Sequence, residues 1–408
     1  METVAKPASQ RVLSVDVLRG LTIALMILVN DPGDWDHVYA QLDHSTWNGF
    51  TLTDLVFPTF VFLVGEAIIF SLESRISRGE SRRTLAVHMF RRAATIFVIK
   101  MFLTAFPHFH WTHLRIFGVL TRIALCYLIV GLICLVTRRA RVLLAIAAGL
   151  LVGYWALMRF VPVPGFGVPT HAMVILDPNH NLAAWIDRAF NTFTQRTIHT
   201  GSLYNHTRDP EGLLSTLPAI ATTLIGAVAG LWMRRAGGTK EHGISSARCL
   251  IGLAFAGLAC IAVGLAWNPW FPINKNLWTS SYVFFAGGLS LVLLALCYWL
   301  VDIRRMNERP VGRAVLWPWL VFGSNAITAY VVSDLIVAIM YWIKVSAGAM
   351  TDTAAPGSSV SAWLWVYQHG FAHGQSTEVT SLAFALAFTA LCFVPNWMLW
   401  RRKIFLRI

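Results

Sequence analysis

Long apolar runs separated by short polar segments, most of them basic, dominate this chain. A helix that crosses a bilayer needs about 20 mostly apolar residues. Ten stretches fit that pattern: residues 13–30, 50–72, 93–106, 115–136, 142–160, 212–233, 248–267, 279–301, 315–340 and 379–400. The third is short and begins inside the preceding basic segment. No internal repeat, linker or low-complexity tract interrupts the series. The expected fold is therefore all-α: a single polytopic integral membrane domain over residues 1–408, with about ten transmembrane helices.

Composition agrees. Of 408 residues 56% are hydrophobic and only 13% charged, against about 25% charged in soluble domains. A disordered protein, a coiled coil and an ordinary soluble enzyme are excluded. The net charge of +13 would suit a nucleic-acid binder, but the positions of the charges point elsewhere. With the N-terminus in the cytoplasm, 23 of the 33 Lys and Arg fall on inner segments. Only Arg188, Arg196, Arg208, Lys275 and Lys344 fall on outer ones. That asymmetry is the positive-inside pattern, so the basic residues face the lipid headgroups of the cytoplasmic leaflet and no nucleic-acid partner is expected. Both termini are then cytoplasmic and the span count is even. Residues 1–12 are polar and carry no cleavage-site pattern, so the first span reads as an anchor. The six Cys lie in or at the ends of spans without a C-x-x-C pair and read as small apolar core residues.

Charges inside spans are costly and draw attention first. Asp16 and Arg19 are three apart in the first span and share a helix face. They form a structural ion pair, or Arg19 faces an anionic ligand. The second span carries Asp54, Pro58 and Glu66. Pro58 removes the hydrogen bond to the Asp54 carbonyl and kinks the helix. Asp54 then orients a His, binds a substrate amine, or only braces the kink. Between these spans, residues 30–49 contain four Asp, His37, His44 and no Lys or Arg. An imidazole beside carboxylates can take a proton from an amine. No H-E-x-x-H or Cys pattern accompanies these residues, so no metal is expected. Arg19, Lys100, Arg115 and Arg122, with Arg91 and Arg92 at the inner end of the third span, form a cationic set able to hold a phosphorylated cofactor arriving from the cytoplasm, although snorkelling to the lipid surface is the plainer account of at least one of Arg91, Arg92 and Arg115. Asp209 and Glu211 suit a helix N-terminus. Phe322-Gly323-Ser324-Asn325-Ala326 offers an amide and small residues where helices approach closely.

At these motifs the chain resembles the transmembrane heparan-alpha-glucosaminide N-acetyltransferase family, in its shorter bacterial form. The resemblance is carried by Ser14-Val15-Asp16 with Arg19-Gly20, Val29-Asn30, His44 through Pro58, Gly118-Val119-Leu120-Thr121-Arg122, Asp209-Pro210-Glu211-Gly212 and Asn274-Lys275-Asn276-Leu277-Trp278. It implies transfer of an acetyl group from cytosolic acetyl-CoA to an amino sugar across the membrane. The family's catalytic His maps onto His44, as base or acyl carrier, and its neighbouring Asn onto Asn30, with Asp54 or Asp43 orienting the imidazole. Arg19, Lys100, Arg122 and Asn325 are then expected near the acyl donor, and Asp43, Trp47, Glu211, Asn274, Lys275 and Trp278 near the acceptor. The location implied is a bacterial inner membrane, with a homodimer left open. Two departures stand out: the Asn30–His44 spacing is longer, with an extra acidic stretch, and Leu120-Thr121-Arg122 replaces Leu-Gln-Arg. The rival reading is a transporter of a sugar or cell-wall fragment using Asp54, Glu66 and Asp334; no clear inverted repeat supports it.

Overall fold

The computed structural model describes residues 12–169, 177–236, 244–346 and 359–406. His171, Lys240, His242 and the terminal Lys6, Arg11 and Arg407 lie outside the described residues. The fold is helical. In order come α1 (Leu13–Asn30), α2 (Thr53–Ile76), α3 (Arg82–Ala105), α4 (Val119–Val136), α5 (Ala140–Phe160), α6 (Leu182–Ile198), α7 (Thr216–Ala236), α8 (Ser246–Trp267) and α9 (Ser280–Tyr298). They are followed by α10 (Pro310–Ser324), α11 (Ala326–Trp342), the short α12 (Ala362–Tyr367) and α13 (Glu378–Arg401). A two-stranded antiparallel ribbon, Lys344–Ser346 against Ser359–Ser361, joins α11 to α12.

Among the described residues eight helices are long and apolar enough to cross a membrane, or nine if α10 and α11 form one bent span. The expected ninth span is thus two helices meeting at 78°. The chain leaves helical geometry at Asn325 (φ −135°, ψ 47°). The Asn325 amide holds the bend, donating to the Ile404 carbonyl (3.1 Å) and accepting from the Leu406 N–H (2.8 Å). The expected third span is a full 24-residue helix, α3. Arg82, Arg83, Arg91, Arg92 and Lys100 keep it from matching a purely apolar span. Polar caps start several helices in the expected manner: Asn181 accepts from the Ala184 N–H, and Thr377 and Thr380 form a reciprocal box on α13. The amphipathic α6 lies in a segment expected to be an outer connection.

The core is built by α1, α2, α4, α7 and α9, while α5, α8 and α13 are peripheral, with about a quarter of their residues buried. Without water to drive helices together, close backbone approach through small residues is a main source of cohesion. At the α2–α7 crossing, a Cβ on Gly65 would stand 1.8 Å from the Thr223 carbonyl oxygen, and one on Gly226 1.9 Å from that of Phe62. Gly20 and Gly323 do the same for α1 and α10.

Pro58 sits inside α2 as expected. It has no N–H to give the Asp54 carbonyl, and the Tyr282 hydroxyl of α9 supplies the missing donor at 2.7 Å. Both residues are fully buried, so an unmade bond there costs the full desolvation penalty. Replacing Tyr282 with Phe keeps the ring but orphans that carbonyl. We expect a loss of about 1–3 kcal/mol, read as a lowered thermal midpoint in detergent; an unchanged midpoint would show that the proline gap needs no donor.

Candidate functional site

The loop from α1 to α2 folds back over the start of α2, and a single buried carboxylate fixes it there. Asp54 Oδ2 accepts from the backbone N–H groups of Ser45 and Thr51, both at 3.1 Å, and from the Thr51 hydroxyl at 3.2 Å. The Thr51 hydroxyl also bonds the Asp43 carbonyl (2.7 Å). Asp43 Oδ1 in turn accepts from the His44 backbone N–H (2.7 Å). The loop between these anchors presents His44, whose Nδ1 lies 3.1 Å from Asp54 Oδ1.

Lys275, from the loop between α8 and α9, closes a triangle. Its Nζ lies 2.9 Å from His44 Nδ1 and 3.6 Å from Asp54 Oδ1. Asp54 is wholly buried, Lys275 15% exposed and His44 39% exposed. Burial lowers the Lys275 ammonium's hold on its proton, and the nearby Asp54 and Glu211 carboxylates oppose that effect. His37 is paired separately with Asp34 at 3.0 Å and is not part of this group. Of the two loop histidines, only His44 has a buried partner.

These residues line a cavity of about 450 Å³ together with Asn30, Asp43, Glu211, Arg115, Tyr204 and Arg208. Asn30, the last residue of α1, has no side-chain partner among the described residues. The far wall is the 204–211 segment, clamped by Arg115. Its Nε and Nη2 meet the two Asp209 carboxylate oxygens, both at 2.7 Å, and Nη2 meets Glu211 at 2.6 Å. Arg115 also stacks on Tyr204, 4.8 Å from the ring centre. Arg115 is therefore bound to protein carboxylates rather than snorkelling to lipid. Asp209 and Glu211 act as its partners and not as helix caps, since α7 begins only at Thr216.

A second cavity, about 420 Å³, lies toward the other end of α2 and is lined by Arg19, Arg75, Arg78, Arg92, Tyr127 and Asn325 among others. The two cavities use the same helix faces. On α2 the outer one ends at Phe57 and the inner one begins at Phe60, about 4.5 Å further along the axis. On α4 the change falls between Val119 and Ile123, and on α1 between Met26 and Arg19.

The expected site residues divide accordingly. His44, Asn30, Asp54, Asp43, Glu211 and Lys275 are brought together. Arg19 and Asn325 line the inner cavity. Arg19 is paired with Asp16 at 3.1 Å and donates to the Gly323 carbonyl. Lys100 and Arg122 line neither cavity. Lys100 bonds Thr104 and the Arg115 carbonyl. Arg122 is buried, bonded to Ser215 and the Gly212 carbonyl, with its guanidinium 4.9 Å from the Trp278 ring centre. Trp278 and Asn274, expected at the acceptor, are also buried. The Trp278 indole donates to Thr222, and the Asn274 amide ties Leu277 to Asn48. They shape the loop that carries Lys275 and do not wall the cavity. Trp47 lies under the Arg208 guanidinium at 4.8 Å. The sequence reading missed Arg75, Arg78, Tyr204 and Arg208; the run of arginines after α2 was visible, but its convergence on one cavity was not.

A protein-family model described as "Heparan-alpha-glucosaminide N-acetyltransferase, catalytic" matches residues 11–269. That range includes His44, Asn30, Asp54, Arg115 and Glu211 and ends before Lys275. The heparan-alpha-glucosaminide N-acetyltransferase of Homo sapiens is 30% identical over 363 residues, covering 79% of this chain and 52% of that protein. The Mus musculus protein of the same name is 30% identical over 372 residues, covering 80% and 54%. The chain thus spans about half the length of these relatives.

One acidic group outside the spans tests the outer packing. Asp187 on α6 accepts from the Leu213 N–H at 2.9 Å. Burial, with nearby Asp209 adding to it, pushes its carboxyl up to about 7 even though the Leu213 bond pulls the other way. The folded state therefore holds this proton more tightly than the unfolded chain, and the resulting stability is lost as pH rises through about 7. We expect the thermal midpoint to fall between about pH 5 and pH 8, and Asp187→Asn, which keeps an acceptor, to flatten that slope. An identical slope in the variant would assign the effect elsewhere.

Proposed function

The chain belongs to the heparan-alpha-glucosaminide N-acetyltransferase family, and from that premise we propose that it moves an acetyl group from acetyl-CoA to the amino group of an amino sugar or related glycan. The acyl donor sits in the inner cavity and the acceptor in the outer one. The observation that carries this is the end-to-end placement of the two cavities along α1, α2 and α4, with His44 and its buried carboxylate on the outer side of the junction.

The chemistry follows from the residues. In the proposed tautomer His44 Nδ1–H donates to Asp54 Oδ1, with the Lys275 ammonium turned to the Asp54 carboxylate, so that Nε2 is the base. Nε2 removes a proton from the acceptor amine as its nitrogen attacks the thioester carbonyl carbon. The Asn30 amide donates to the oxygen that gains negative charge. As the C–S bond breaks, the imidazolium returns its proton to the leaving thiolate. Lys275 offsets the Asp54 charge and, through Asp54, holds the imidazole in place. At the far end Arg75, Arg78, Arg92 and Arg19 provide positive charge for the phosphates of the donor. By the positive-inside pattern that end is cytoplasmic and the His44 end periplasmic, in a bacterial inner membrane. The transporter reading has less support: Glu66 is fully buried, lines neither cavity, and both its carboxylate oxygens are without a partner among the described residues.

His44→Ala should cut transfer from acetyl-CoA to glucosamine by roughly 10²–10⁴-fold while the protein still elutes as a folded species. Arg75→Gln should raise the KM for acetyl-CoA with kcat little changed. Full activity of the His44 variant would overturn the assignment. Equal effects of both variants on kcat alone would overturn the division of roles between the cavities.

A further inference from the structure

Outside the proposed site, a second pair of cavities adjoins on the opposite flank of α7. One is basic, about 640 Å³, and faces the same end of the bundle as Arg75. It gathers Arg82, Arg138, Arg139, Arg234 and Arg235 against a single carboxylate, Glu73. Glu73 is already paired with Arg234 at 2.5 Å. Among the described residues no carboxylate pairs with the side chains of Arg82, Arg138, Arg139 or Arg235.

The other is an apolar groove of about 530 Å³ lined by Leu144, Ala148, Leu151, Ala229, Gly252 and Ala256 among others. Val228 and Trp232 belong to both cavities, so the basic mouth opens into the groove. The groove has a simple origin. α5 and α8 each pack on α7 and α9 but make little contact with one another, and Ala147, Ala148, Ala229, Gly252 and Ala256 leave room between larger apolar side chains. The Trp232 indole is held at the junction by its bond to the Cys249 carbonyl (3.2 Å).

We propose that this is a binding site for a single anionic diacyl phospholipid, with its phosphate among the arginines and an acyl chain in the groove. The dimensions choose a lipid over a soluble anion. From Ala140 at the mouth to Leu151 the groove follows α5 for about 16 Å, close to the depth of one leaflet of a roughly 30 Å hydrocarbon core. A soluble phosphate compound would use the mouth and leave the groove empty. An annular lipid on a flat helix surface would meet neither the recess nor four unpaired guanidinium groups at one end. The site is separate from His44 and from the inner cavity of α1, α2 and α4, so it stands whether or not the acyl-transfer reading does.

The test uses the full-length protein purified in mild detergent. Bound lipid is identified by mass spectrometry, and phosphatidylglycerol is set against phosphatidylcholine in a thermal-shift titration. The expected results are a retained anionic lipid and a preference for phosphatidylglycerol of roughly 10- to 30-fold, about two arginine contacts' worth. Arg138→Gln with Arg139→Gln should abolish the preference but leave weak binding of both lipids. Ala148→Trp, which fills the groove and leaves the charges, should eject the lipid. Equal affinity for the two lipids in the unmodified protein would overturn the proposal without any variant. Stabilisation by glycerol phosphate, inorganic phosphate or CoA to the same extent as by phosphatidylglycerol would assign the mouth to a soluble anion and overturn it as well. Lipid retained by a folded Ala148→Trp protein at the unmodified level would show that the groove is not the chain site.

Discussion

A carboxylate with no exposure to solvent organises the outer half of this molecule. An ionised group taken out of water is tolerated only when its lone pairs find donors, and Asp54 collects its donors from two places in the sequence. Ser45 and Thr51 supply backbone N–H groups from the preceding loop, His44 a ring nitrogen, and Lys275 an ammonium from more than two hundred residues away. The same residue's carbonyl, released by Pro58, takes the Tyr282 hydroxyl. The proline that weakens α2 therefore also creates the socket by which α9 is tied to it. The loop conformation, the aim of the imidazole and the docking of the α8–α9 connection are consequences of one desolvated side chain.

The second constraint is steric. Helices in lipid gain cohesion by close approach, and the glycines at the α2–α7 and α1–α10 crossings bring those backbones together until no Cβ fits. Tight contact on those faces leaves other faces of α1 and α2, with α4 and the end of α10, free to line the cavities. Close packing of some faces and open space on others are two results of the same distribution of small residues, and the groove between α5 and α8 follows it too.

How much of this the sequence disclosed varies with the range of the interaction. Span length and apolarity are local, so nearly every helix is legible from hydropathy, α3 included despite its arginines. The bend at Asn325 is not, because the chain that holds it is Ile404–Leu406. Helix α6 escaped for a different reason: it is amphipathic and too polar to read as a span. Asp16 with Arg19 was legible because residues three apart on a helix must be neighbours. Arg122 was expected at the donor because a cation within a span is costly unless it has a partner, and Trp278 at the acceptor because it belongs to a motif of the family resemblance. The structure instead stacks one on the other, a pairing across 156 positions that no spacing rule exposes. The choice of His44 over His37 came from the family resemblance; in the structure His44 lies beside a wholly buried carboxylate and His37 beside a partly exposed one.

The junction between Phe57 and Phe60 gives the two chambers different environments. An outer cavity lined by Asp43, Glu211, Arg115, Arg208 and Lys275 is polar and suits a hydrated acceptor. The inner one presents Phe60, Leu63, Val64 and Ile96 along its middle, with cations at its end. In the proposed reading an acyl thioester bound there lies against these apolar side chains. Under the proposed reading, arginines at the inner end and His44 at the outer end suit a molecule with an anionic head and an electrophilic tail. A site built for transport alone gives no reason for a desolvated carboxylate behind an imidazole. On these grounds the arrangement of surfaces along α2, more than any one residue, favours group transfer.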